Sequence, residues 1–141
     1  MESTISNKPP ISILLADDEF ATVAILANVL AKKYPNFPIY TAENGKTAFE
    51  LFKSNQPNIV ITDVNMPEMN GVQMAAIIRS IDPSTKFIFL TGNSGKDHLR
   101  DHDGEGFEVE HYIVKPVRFG LLFAAIEQSI SEIERKVIGS V

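Results

Sequence analysis

The sequence predicts a parallel α/β sheet with helices on both faces, and three observations carry that reading. Apolar runs of strand length alternate with longer segments of helical period. The first, third and fourth runs are apolar nearly throughout, as strands covered on both sides must be. Four of the five runs also end in a polar group: Asp17-Asp18, Asp63, Thr91 and Lys115. Parallel α/β sheets gather their chemistry at the carboxyl ends of their strands.

Taken in order, residues 1–10 form a flexible polar lead closed by Pro9-Pro10. Strands are expected at 11–16, 38–42, 58–62, 86–91 and 111–115. Helices are expected near 19–33, 44–54, 71–80 and 95–101, with a last one starting near Arg118. The first helix shows its period in Ala21, Ile25, Leu26, Val29 and Leu30, and Pro35 stops the chain soon after. Glu43-Asn44-Gly45 turns into the second helix, whose inner face reads Ala48, Leu51 and Phe52. In the last helix Phe119, Leu122, Phe123 and Ile126 should pack on the sheet. Ile130, Ile133 and Val137 carry the stripe on, so 132–141 reads as a helical extension of a domain spanning 11–131. That extension folds on its own domain, makes a weak dimer contact, or starts a linker to an output module.

Composition excludes several function classes. With 141 residues the chain is one domain by length, large enough for a substantial core. Cysteine is absent, which removes disulfides, thiolate metal sites and thiol nucleophiles. A formal charge of -5 argues against a nucleic-acid surface. The first ten residues carry no signal-peptide core, and no run approaches the roughly 20 apolar residues needed to span a bilayer. A soluble cytoplasmic protein is the expectation.

The polar strand ends suggest one site. Adjacent carboxylates at Asp17-Asp18 repel, and a bound cation reverses the sign of that cost. The rival reading is an acidic start to the first helix. Oxygen-only ligands with room for a phosphate favour Mg2+, with Mn2+ as a substitute. After Asp63, Pro67 restricts the chain and Asn70-Gly71 turns it into a helix, so the loop can present the Asp63 carboxylate and the Asn65 backbone carbonyl to one cation. A carboxylate can attack phosphorus and form an aspartyl phosphate. Thr91 offers a hydroxyl, Gly92 leaves space, and Lys115 offers a fixed positive charge. A cis Lys115-Pro116 bond would aim that lysine inward.

In order and spacing, Asp17-Asp18, Asp63…Met66-Pro67…Asn70-Gly71, Thr91, Tyr112 and Lys115-Pro116 resemble a response-regulator receiver domain across residues 11–131. The resemblance implies a flavodoxin-like, doubly wound five-stranded parallel sheet of order 2-1-3-4-5. It implies Asp63 as phosphoacceptor, with Asp18, Asp63 and the Asn65 carbonyl on the metal and Asp17 holding it through water. Thr91 and Lys115 would contact the phosphoryl group, and Thr91 and Tyr112 would form the switch. The implied donor is a histidine kinase or a histidine phosphotransfer protein, and the implied output is an unidentified protein target. Such a chain is not an enzyme, save for its own phosphorylation and dephosphorylation.

The match frays at 101–110, where five acids and two glycines make a poor helix and suggest a shortened or mobile 95–101 helix, hence an output surface unlike the family norm. His98 and His102 share a helical spacing but lack further ligands, and His111 reads as a surface residue. Asn65 and Asn93 flank the phosphate position and would influence its hydrolysis. The alternative is a receiver-like interaction module that works without phosphorylation. A flavin carrier would want a hydroxyl- and glycine-rich loop where Asp17-Asp18-Glu19 stands. A phosphohydrolase would want an Asp-x-Asp pair there.

Overall fold

The computed structural model describes residues 11–92 and 110–139. Five parallel strands form one sheet of order β2-β1-β3-β4-β5, with β1 at Ile13–Ala16, β2 at Ile39–Ala42, β3 at Ile59–Asp63, β4 at Lys86–Thr91 and β5 at His111–Val114. The described helices are α1 at Phe20–Lys33, α2 at Gly45–Asn55, α3 at Gly71–Ile81 and α4 at Phe119–Gly139. The lead 1–10, the 95–101 segment with its acidic continuation to 109, Asn93, His98, His102 and the side chain of Val137 lie outside the described residues.

Alternation along the strands builds two cores. Leu14, Val60, Phe87 and Phe89 face Ala48 and Phe52 of α2 and Val72, Met74 and Ile78 of α3. Ile13, Leu15, Ile59, Ile61, Ile88 and Leu90 face Leu26 and Leu30 of α1 and Leu122 and Ile126 of α4. Strands β1, β3 and most of β4 are buried on both faces, which is why they read as unbroken apolar runs. Full burial of each Leu or Ile contributes roughly 1.5–3 kcal/mol.

The helix ends follow local chemistry. Asn44 caps α2 by accepting the Thr47 N–H at 2.7 Å. Asn70 and Gln73 form a reciprocal capping box on α3. Gln56 closes α2 in the left-handed region, a position that favours glycine.

Three sequence expectations are corrected. The buried stripe of α1 runs through Val23, Leu26 and Leu30, while Ala21 and Ile25 face water. Apolar residues surround much of this helix, so its period alone leaves the phase open. Phe119 is 41% exposed, because it is the first residue of α4 and precedes the turn that reaches the sheet. His111 is half-buried with a sequestered Nε2, since its pairing with Ile88 turns it toward the α1 and α4 side.

Helix α4 is seated on its own domain. Tyr34 at the end of α1 donates to Glu127 Oε2 at 2.8 Å, and its ring stacks on Phe37 and meets Phe123 edge-on. Further along, Glu132 pairs with Lys86 at 3.4 Å and Ile133 packs against the core. The extension therefore folds back, at least through Ile133.

Candidate functional site

The carboxyl ends of β1, β3, β4 and β5 bring the polar residues together. Asp17 continues β1 by donating its N–H to the Ala42 carbonyl at 3.1 Å, which fixes its side chain in the interior with no exposure. Asp18 follows on the exposed side. Asp63 ends β3, nearly buried, with its carbonyl accepting the Thr62 hydroxyl at 2.9 Å. The loop after it is closed by Val64 N–H to Leu90 O at 3.0 Å and Gly71 N–H to Val64 O at 2.8 Å. Asn65 turns its backbone inward, with its N–H 3.4 Å from Asp63 Oδ1, while its side chain is exposed.

Thr91 ends β4 fully buried, and its carbonyl accepts the Lys115 N–H at 2.7 Å, which keeps the chain beyond β5 in register. The Lys115–Pro116 bond is cis. Lys115 Nζ lies 2.9 Å from Asp17 Oδ2, 3.2 Å from Glu19 Oε1 and 3.4 Å from Asp63 Oδ2. Carboxylate oxygens of Asp17, Asp18 and Asp63 all lie within 4.8 Å of one another. On β5, Tyr112 pairs with Phe89 of β4 and packs, half-buried, against the α2 and α3 side of the core.

Electrostatics follow from this crowding. Burial pushes the Asp63 carboxyl up, the Asp17 charge adds to it, and Lys115 and the Asn65 N–H pull back; the result is about 6. Burial alone would lower the Lys115 ammonium, but Asp17, Asp63 and Glu19 outweigh it and hold it above the usual lysine range. Glu19 is held below the usual carboxylate range by its hydrogen bond and charge contact with Lys115.

A hard divalent cation fits this donor set. All three candidate ligands are carboxylates, and the nearby ammonium cannot balance them together with Glu19. The cation would remove the repulsion that burdens Asp63.

The residues expected from the sequence thus meet at one sheet edge, apart from Tyr112, which stands on the α2 and α3 side of β5. Glu19 as a partner of Lys115 was not legible, because the contact spans 96 positions and no local spacing announces it.

A family model described as the response regulator receiver domain matches residues 13–127. The chain belongs to the response regulator receiver family. Accepting a phosphoryl group is the function of that family, and receiver domains bind Mg2+ at an acidic pocket like that of Asp17, Asp18 and Asp63. The transcriptional regulatory protein YesN of Bacillus subtilis is 34% identical over 125 residues, covering 88% of this chain and 33% of YesN. The chemotaxis protein CheY of Listeria monocytogenes is 29% identical over 120 residues, covering 84% of this chain and 98% of CheY. This receiver therefore spans about a third of YesN and nearly all of CheY. Among solved structures, a two-component transcriptional regulator from Clostridium phytofermentans superposes with TM-score 0.77 at 29% identity, covering 92% of this chain and 98% of that one. A receiver domain protein from Clostridium thermocellum gives 0.76 at 28%, covering 91% and 98%. No described helix is long and apolar enough to cross a membrane.

Proposed function

We propose that residues 11–131 form the switching unit, with 1–10 as a lead and 132–141 as an extension, and that Asp63 is the phosphoacceptor. The observation that carries this is the Lys115 ammonium 3.4 Å from Asp63 within a three-carboxylate cluster. An Asp63 oxygen attacks phosphorus in line, the bond from phosphorus to the donor histidine nitrogen breaks, and the imidazole leaves with its electron pair. Lys115 meets the charge that develops on the phosphoryl oxygens, and the Thr91 hydroxyl donates to one of them. Asp18, Asp63 and the Asn65 carbonyl would hold Mg2+, or Mn2+ in its place, with Asp17 acting through water. The ion supplies charge neutralisation. The chain catalyses only its own phosphorylation and dephosphorylation.

The new phosphoryl charge draws Thr91 inward, and Tyr112 follows into the space vacated. That biases the surface of β5 and α4 toward a protein target. The donor is a histidine kinase or a histidine phosphotransfer protein, and the setting is the cytoplasm. Incubation with a phosphohistidine protein followed by proteolysis and mass spectrometry tests the assignment. Phosphate on the peptide containing Asp63 is expected, and label on any other residue would contradict it.

A further inference from the structure

Glu19 begins α1 but directs its carboxylate to Lys115 instead of to the helix. A side-chain oxygen at the N-cap ordinarily accepts from an orphan N–H of the first turn. Glu19 makes no such cap. Its Oε1 accepts from Lys115 Nζ at 3.2 Å and from Thr22 Oγ1 at 3.2 Å. Its own N–H donates to Asp17 Oδ1 at 2.9 Å. A residue whose side chain is 63% exposed is thus anchored at its backbone by Asp17 and at its carboxylate by Lys115 and Thr22.

Of the three carboxylates around Lys115, Asp17 and Glu19 are the nearer pair and Asp63 the furthest. An ammonium is a compact point charge with three donors, so its position is set by the summed pull of its neighbours. Asp17 and Asp63 belong to the acidic pocket. Glu19 stands outside it, on the wall of an open groove of about 550 Å3 that is also lined by Thr22, Gly92, Lys115, Pro116 and Phe119.

The geometry points to Glu19 as a positioning residue that draws the Lys115 ammonium toward this groove and competes with a phosphoryl group on Asp63 for it. This rests on the assignment of Asp63 as phosphoacceptor. Releasing that hold lets Lys115 follow the developing phosphoryl charge, so acceptance speeds up.

The test compares wild type, Glu19→Gln and Glu19→Asp. Second-order phosphorylation rates are measured in saturating MgCl2 by intact mass with acetyl phosphate and with phosphoramidate, each at low salt and at about 0.5 M salt, where exposed charges act over only a few ångström. The Lys115 ammonium is followed by 15N NMR without donor. Glu19→Gln should raise the rate about three- to tenfold with both donors and at both salts, because the gain comes from placement. Glu19→Asp keeps the charge but lacks the reach, and should share most of the gain. The Lys115 ammonium should exchange faster with water in both variants.

Rates within twofold of wild type with an unchanged Lys115 signal would overturn the inference. A gain confined to acetyl phosphate, abolished by salt and absent from Glu19→Asp would also overturn it, since that is the signature of a field at the groove. A wild-type chain that takes no phosphoryl group from either donor, and none from a phosphohistidine protein, would overturn the Asp63 assignment itself, and this inference with it.

Discussion

Gly71 stands so close to Asp63 that a Cβ on it would overlap the Asp63 carbonyl oxygen and lie 3.1 Å from the Thr62 hydroxyl. The first residue of α3 is thereby pressed against the backbone of the proposed phosphoacceptor, and only a hydrogen there permits it. Gly45 at the start of α2 meets the Met69 carbonyl in the same way. Because backbone cannot yield as a flexible side chain can, Gly71→Ala should cost about 2–3 kcal/mol in urea unfolding. It should also slow phosphorylation by displacing Asp63. An Ala variant with wild-type stability would contradict the close packing.

Asp63 should make the metal-free protein less stable as pH rises. Its folded pKa of about 6 lies above the ordinary 3.8, so the native state binds the extra proton between those values. The stabilisation that protonation gives is complete below about 4 and lost as pH climbs through about 6. That gap corresponds to roughly 3 kcal/mol as a ceiling. In EDTA, Asp63→Asn should therefore be the more stable protein at pH 8, with the difference vanishing near pH 4. Thermal melts across that range measure it, and a pH-independent difference would be the wrong outcome.

Magnesium should offset the same repulsion. At a hundredfold excess over Kd, a ligand that binds only the folded state adds about 2.7 kcal/mol. Wild type should gain in melting temperature with added MgCl2, and Asp18→Asn should lose most of that gain without losing its fold. Equal shifts in both proteins would place the ion elsewhere.

Glu68 adopts a φ of 71° in the loop after Asp63, where the Met69 N–H bonds the Pro67 carbonyl at 2.8 Å. That is the rarer and more strained three-residue turn. A positive φ of this kind costs a non-glycine residue on the order of 1–3 kcal/mol, part of which glycine returns as unfolded-state entropy. Glu68→Gly should thus stabilise by about 0.5–1 kcal/mol in chemical denaturation. A loss of stability would mean that the Glu68 side chain has a role beyond the turn.

How much of this was legible depended on the range of each interaction. Strand ends and helix caps are local, so Asp63, the Asn70-Gly71 turn and the strand order implied by the resemblance all emerged from sequence. The phase of α1 did not, because Ile25 is as apolar as Leu26 and only the sheet decides which is buried. Nor did the burial of His111, which is set by its partner Ile88 on the neighbouring strand. The seam between Tyr34 and Glu127 joins residues 93 positions apart. Its loss in Tyr34→Phe should cost about 0.5–1.5 kcal/mol, the net worth of one hydrogen bond, since the exposed Glu127 carboxylate turns back to water. Urea unfolding checks it.

The central claim is that Asp63 takes a phosphoryl group with the help of a divalent cation in the Asp17, Asp18 and Asp63 pocket. Its most direct test is intact mass after incubation with acetyl phosphate and MgCl2, beside an EDTA control and Asp63→Asn. One phosphoryl adduct on wild type, absent with EDTA and absent from the Asn variant, is the predicted result. An adduct that persists in Asp63→Asn, or no adduct on wild type here and none from phosphohistidine donors, would contradict the account and favour an interaction module that works without phosphorylation.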